Sequence, residues 1–129
     1  MVKYSSEGFI KELGEKEIFV FGSNADGAHL GGAAGIALTR FGAIMGQSEG
    51  LQGQSYGINT MSGLDTMKEQ IMRFLDFAKS RPELTFYVTE LGCGIAGYAP
   101  EQIAPLFKGA SENVILPKNF SRIIDSACK

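Results

Sequence analysis

The sequence predicts one α/β domain of three layers, a mixed and largely parallel sheet with helices on both faces. Two observations lead there. Short apolar runs rich in aromatic and β-branched residues alternate with segments of helical periodicity, which implies crossover connections and therefore parallel strands. Glycine contributes 17 of the 129 residues, and eleven of them lie between Gly22 and Gly63. That is roughly twice the usual share, concentrated where strands end and helices begin. The length suits one core and not two, no repeat or linker interrupts it, and residues 1–129 are read as a single domain.

Taken in order, Ser5 or Ser6 is placed to cap a short helix through Leu13, with Phe9, Ile10 and Leu13 on one face. Glu17 to Phe21 is the first buried strand. Gly31 to Phe41 reads as a helix whose Ala and Gly content suits close packing on a sheet, and Gly42 stops it. The polar, Gly-rich stretch from Met45 to Gly53 is expected to be a long loop or a loose hairpin before a strand from Tyr56 to Thr60. Asp65 opens the strongest helix, with Met67, Ile71, Phe74, Leu75 and Ala78 at helical spacing, and Arg81-Pro82 ends it. Leu84 to Leu91 is a buried strand. Pro100 suits the first position of a helix to Phe107. Asn113 to Leu116 makes a last strand and Phe120 to Ala127 a terminal helix.

A net charge of −2 and a pI near 5.4 argue against a general nucleic-acid surface. Arg40 is the only Lys or Arg between Glu17 and Thr66, so a phosphate at the first glycine-rich loop would depend on backbone amides. Cys93 and Cys128 have no metal-ligand spacing and read as reduced thiols. No signal peptide and no membrane-length apolar run is recognisable. The expectation is a cytoplasmic protein with no membrane partner, no metal and no bound cofactor.

Two junctions carry the functional signal. Phe21-Gly22-Ser23-Asn24 ends a strand and leads to Gly31 and Gly32 at a helix start. Leu91 is followed by Gly92, Cys93, Gly94, Ile95, Ala96, Gly97 and Tyr98. Bare backbone N–H groups beside a helix N-terminus favour an anion, so the two loops suggest one site for a phosphate-bearing ligand. The second loop matches G-x-G-x-x-G. A dinucleotide fold needs an acidic residue ending the next strand, whereas Glu112 here precedes its strand, which argues against a Rossmann oxidoreductase.

These residues resemble the macro-domain superfamily. Phe21 to Asn24 with Gly31-Gly32-Ala33-Ala34-Gly35 is similar to its strand end and glycine-rich helix start. Gly92-Cys93-Gly94-Ile95 is similar to the Gly-Cys-Gly-Leu loop of terminal ADP-ribose glycohydrolases. From Glu17 to Pro117 the chain most resembles a small bacterial and phage family of macro-like proteins. The resemblance implies a macro-like fold that recognises ADP-ribose or a related nucleotide. Asn24 would lie near the distal ribose and the two loops around the diphosphate. Gly22, Ser23, Asn24, Gly31, Gly32, Gly92, Cys93, Gly94, Ile95, Ala96, Gly97 and Tyr98 are the implied ligand-binding residues.

The departures bear on catalysis. Ala34 stands where mono-ADP-ribosyl hydrolases carry Asp, and Ala96 where the terminal glycohydrolases do. Arg40 stands in for their helical Lys but cannot act as a neutral nucleophile. Asp26, His29 and Glu90 remain as catalytic candidates for a slow hydrolase. Each also has an ordinary reading: His29 as an exposed loop residue, Glu90 as a solvated edge carboxylate. Cys93 is either an activated thiol at a helix start or a small packing residue. Gln47, Gln52 and Gln54 either read a base or decorate a loop, and Tyr98 is a candidate for stacking. Asn24 itself is otherwise a turn-former bonded to its own backbone. The alternative to nucleotide binding is a non-enzymatic interaction protein that keeps the fold without a ligand.

Overall fold

The computed structural model describes residues 4–5, 13–29, 32–93 and 96–127. The helix expected ahead of Leu13 falls outside these residues, as do Gly31, Gly94, Ile95 and Cys128. In chain order the elements are β1 (Tyr4–Ser5), β2 (Glu17–Ser23), α1 (Gly32–Arg40), β3 (Gly50–Gln52), β4 (Ser55–Asn59) and α2 (Leu64–Ser80). β5 (Thr85–Val88), α3 (Pro100–Ile103), a 3₁₀ turn (Ala104–Phe107), β6 (Val114–Pro117) and α4 (Lys118–Ala127) complete them.

Residues of β2 alternate between two cores, as a strand buried on both faces must. Ile18 and Val20 join Ile58, Phe86, Val88, Val114 and Leu116 beneath α2, α3 and α4. Phe19 and Phe21 join Ala34, Ala37, Phe41 and Ala43 beneath α1. The sheet is thus sandwiched between helices, in the three layers the alternation of elements predicts. Its six strands run in the order β1-β6-β5-β2-β4-β3. Every neighbouring pair is parallel except β3 with β4.

Several boundaries differ from expectation for local reasons. Tyr4 and Ser5 pair in parallel with Leu116 and Pro117, so a strand stands where Ser5 was expected to open a helix. The stretch from Met45 to Gly53 resolves into the hairpin alternative, its turn allowed by Gly53 at φ +60. Strand β5 stops at Val88: Thr89 still bonds the Val20 carbonyl through its N–H (3.1 Å) and hydroxyl (2.8 Å), and the chain then turns tightly, with Leu91 N–H donating to the Thr89 carbonyl at 2.7 Å. The helix starting at Pro100 tightens to 3₁₀ at Ala104, where Pro105 has no N–H for a further α-helical bond. Helix α4 starts earlier than expected, directly after β6.

Candidate functional site

In an open α/β sheet, ligands settle at the carboxyl ends of strands where successive crossovers leave in opposite directions. Here β2 crosses through α1 towards β4, and β5 crosses through α3 towards β6, so the crevice lies between β2 and β5. Both glycine-rich loops emerge at this point. They come together at Gly22: a Cβ there would crowd Thr60 Cγ2 at 3.1 Å and would touch Leu91 Cβ at 3.5 Å. The structure therefore brings the start of the second loop against the end of β2.

A third loop joins them, which the sequence reading did not place at the site. Thr60 closes β4 onto β2, donating from its N–H (3.0 Å) and hydroxyl (3.3 Å) to the Ser23 carbonyl. Asn59 accepts from Met61 N–H and donates to Ser62 Oγ. The signal was present in Asn59-Thr60-Met61-Ser62-Gly63: another strand running into small polar residues and glycine before a helix.

Within the first loop the polar groups are largely committed to one another. Asn24 Nδ2–H donates to the Ala28 carbonyl (3.1 Å), and Ala28 N–H donates to Asn24 Oδ1 (2.9 Å). The turn-forming reading of Asn24 is thus realised, leaving one N–H and one lone pair of the carboxamide for a ligand. Gly27 N–H donates to the Asn24 carbonyl (3.1 Å) and His29 N–H to Met45 Sδ (3.3 Å). The first-turn amides of α1, which have no intrahelical acceptor, therefore become this loop's main offer to an anion. Replacing Asn24 by Ala should lower stability by about 1–2 kcal/mol, because two hydrogen bonds and the loop closure go with it. Chemical denaturation of the variant checks this.

His29 corrects the exposed-loop reading. It is wholly buried, its ring set edge-on to Phe21 at 5.0 Å. Nε2 lies 3.1 Å from the Gln47 carbonyl and 3.2 Å from Gln52 Oε1, while Nδ1 faces Ser23 Oγ at 3.4 Å. Two oxygen acceptors at Nε2 place a hydrogen there. Asp26 is exposed in the turn. Glu90 is exposed and accepts from Asn119 Nδ2 at 3.0 Å, tying the second loop to α4. The three catalytic candidates thus stand in three different settings, each with its own neighbours.

The glutamines are staples. Gln52 is buried and Gln47 Nε2 donates to the Glu49 and Leu51 carbonyls, covering the free edge of β3. Gln54 Nε2 donates to the Gly14 carbonyl at 2.8 Å. Arg40 ends α1 beside Phe41, whose carbonyl accepts from Gln54 N–H and Ser55 Oγ at the amino end of β4. It stands at the end of the sheet opposite the two loops, and Ala34 packs in the core under α1.

In the second loop Gly92 has φ +80 and is buried, with Met67 and Ile103 against it. Tyr98 N–H donates to the Gly92 carbonyl (2.9 Å), and its side chain packs along the larger core. Gly97, also at φ +80, and Ala96 lie between them. Cys93 is free and half-buried, and burial first, then the charges of Glu90 and Glu101, pushes its thiol from 9.0 up to about 11. The packing reading suits this better than an activated thiol. With so little thiolate, Cys93 in a Cys128→Ser background should alkylate near pH 8 about a hundredfold more slowly than an ordinary thiol, accelerating up to about pH 11. Following iodoacetamide incorporation against pH measures this.

Among the described residues, no group of three His, Cys, Asp or Glu is arranged to hold a metal ion. No helix among them is long and apolar enough to cross a membrane. Comparison with protein-family models, with curated proteins and with solved structures finds no match to this chain.

Proposed function

We propose that this domain binds ADP-ribose or a related nucleotide through the crevice between β2 and β5. The observation that carries the reading is the convergence of the two glycine-rich loops at Gly22, at a topological switch point of the sheet. The α1 first turn supplies amides for a phosphate, and the resemblance of both loops to macro domains names the ligand class. Asn24 keeps one donor and one acceptor towards the ribose. We place the protein in the cytoplasm, where an unpaired Cys93 stays reduced.

Binding with little turnover is the form of activity proposed. His29 is enclosed, Cys93 holds its proton, and Ala34 and Ala96 stand where the resembling hydrolases carry acids. Missing acid–base assistance is worth about 10²–10⁴-fold in rate. Calorimetric titration with ADP-ribose, NAD, ADP and AMP should give micromolar binding of ADP-ribose, about −8 kcal/mol, with slow release from a modified protein. No heat and no thermal shift at millimolar ADP-ribose would exclude the reading. The internal commitments of Asn24, Gly27, Ala28 and His29 favour a second one, a non-enzymatic interaction protein that binds no nucleotide, and the same titration separates the two.

A further inference from the structure

We propose that Gln52 and His29 are positioning residues that hold the β2–α1 loop in its ligand-ready conformation, a role that rests on the nucleotide-binding reading of that loop. The loop from Asn24 to His29 contains a glycine at φ +66 and would lose considerable backbone freedom on ordering. Something must hold it before the ligand arrives if binding is not to bear that cost.

The holding group is a buried polar clasp laid across the sheet from its edge. Gln52 sits on β3, two strands away from β2, and is 2% exposed. Its Oε1 accepts from Ile44 N–H (2.7 Å) and from His29 Nε2 (3.2 Å). Its Nε2 donates to the Gln47 (3.1 Å) and Gly50 (3.3 Å) carbonyls. Every lone pair and hydrogen of the carboxamide is therefore engaged, which fixes its orientation. Intervening β4 gives way to it: a Cβ on Gly57 would meet Ser48 O at 2.7 Å and Gln52 Nε2 at 3.1 Å.

His29 converts this anchor into loop closure. Its ring reaches Ser23, the last residue of β2, while its own N–H bonds Met45 Sδ. Gly46 N–H bonds the Gly27 carbonyl in between at 2.9 Å. The Asn24–His29 stretch is thus tied to the 44–52 segment at its middle, through Gly27, and at His29. Gln52 and His29 act through the loop and not on the nucleotide.

The test is Gln52→Met in the full chain, which keeps volume and removes the four bonds. Titration with ADP-ribose is combined with amide exchange at Ala28 and His29. A positioning role requires at least a tenfold loss of affinity and faster exchange at these two amides, reversed when ADP-ribose is added to saturation. Affinity within twofold of the parent overturns the proposal even if stability falls, since a purely structural role would do that. Should the variant not fold, His29→Gln, which loosens the same clasp from its other side, is measured in its place: at least a tenfold loss of ADP-ribose affinity supports the clasp, and affinity within twofold of the parent overturns it. Absence of any ADP-ribose binding by the parent removes the nucleotide reading and this role together, whereas binding with an indifferent clasp removes this role alone.

Discussion

Replacing Phe74 by Ala should be the most damaging single change in the larger core, lowering stability by about 3–5 kcal/mol. Phe74 is 0% exposed on the inner face of α2. Its ring lies 5.0 Å from Tyr56 on β4, 5.4 Å from Phe86 on β5 and 6.3 Å from Phe107 in the 3₁₀ turn. The Phe86 and Phe107 contacts are edge-on, the favoured aromatic geometry. One side chain therefore bridges the two strands that flank α2 in sequence and a 3₁₀ turn farther along the chain. Tyr56 and Phe86 are held by the sheet ladder and cannot move inward to fill the space, so a cavity remains. Guanidinium unfolding should show a lower midpoint with an unchanged slope. Phe74→Leu should cost less, because part of the volume survives.

Gly27→Ala should be the most damaging change in the candidate site, on the order of 3 kcal/mol from backbone strain and overpacking together. Gly27 has φ +66, and a Cβ there would stand 2.5 Å from Gly46 C and 2.6 Å from Gln47 N. Those atoms are backbone, already fixed by the Gly46 N–H bond to the Gly27 carbonyl, so no side-chain rotation relieves the contact. Gly46→Ala is the matched control. Its φ is +93 but nothing lies within 4 Å of the added atom, leaving strain of about 1–2 kcal/mol alone. The difference between the two variants in thermal unfolding isolates the clash. Loss of ADP-ribose affinity in folded Gly27→Ala molecules is also expected, since the first loop would have to leave the 44–47 segment.

Much of the fold was legible because its elements are written in local patterns. Met67, Ile71, Phe74 and Ala78 recur at helical spacing, and all four are buried in the structure. The alternation along β2 and the Pro100 helix start are equally local. The strand at Tyr4–Ser5 was not legible, because two residues carry no periodicity and pair only once β6 is in place. Nor was the role of Asn113, whose amide faces the carbonyls of Ala78, Arg81 and Leu84 where α2 ends. That contact spans about thirty residues, and nothing near Asn113 in the chain announces it.

At the site the division is sharper. Sequence by itself determined that two glycine-rich strand ends exist and that positions 34 and 96 hold alanine, since residue identity and local composition suffice for both. It also determined the α/β class, because element alternation leaves few topologies open. Only the tertiary structure decided that β2 and β5 are neighbours, and hence that the two loops meet at Gly22. It alone decided that His29 is enclosed, that Asn24 is bonded to Ala28, and that Gln52 reaches across a strand to support them. Strand order and side-chain partners arise from contacts between residues far apart in the chain, and the free energy of those contacts depends on burial and geometry that no local pattern encodes.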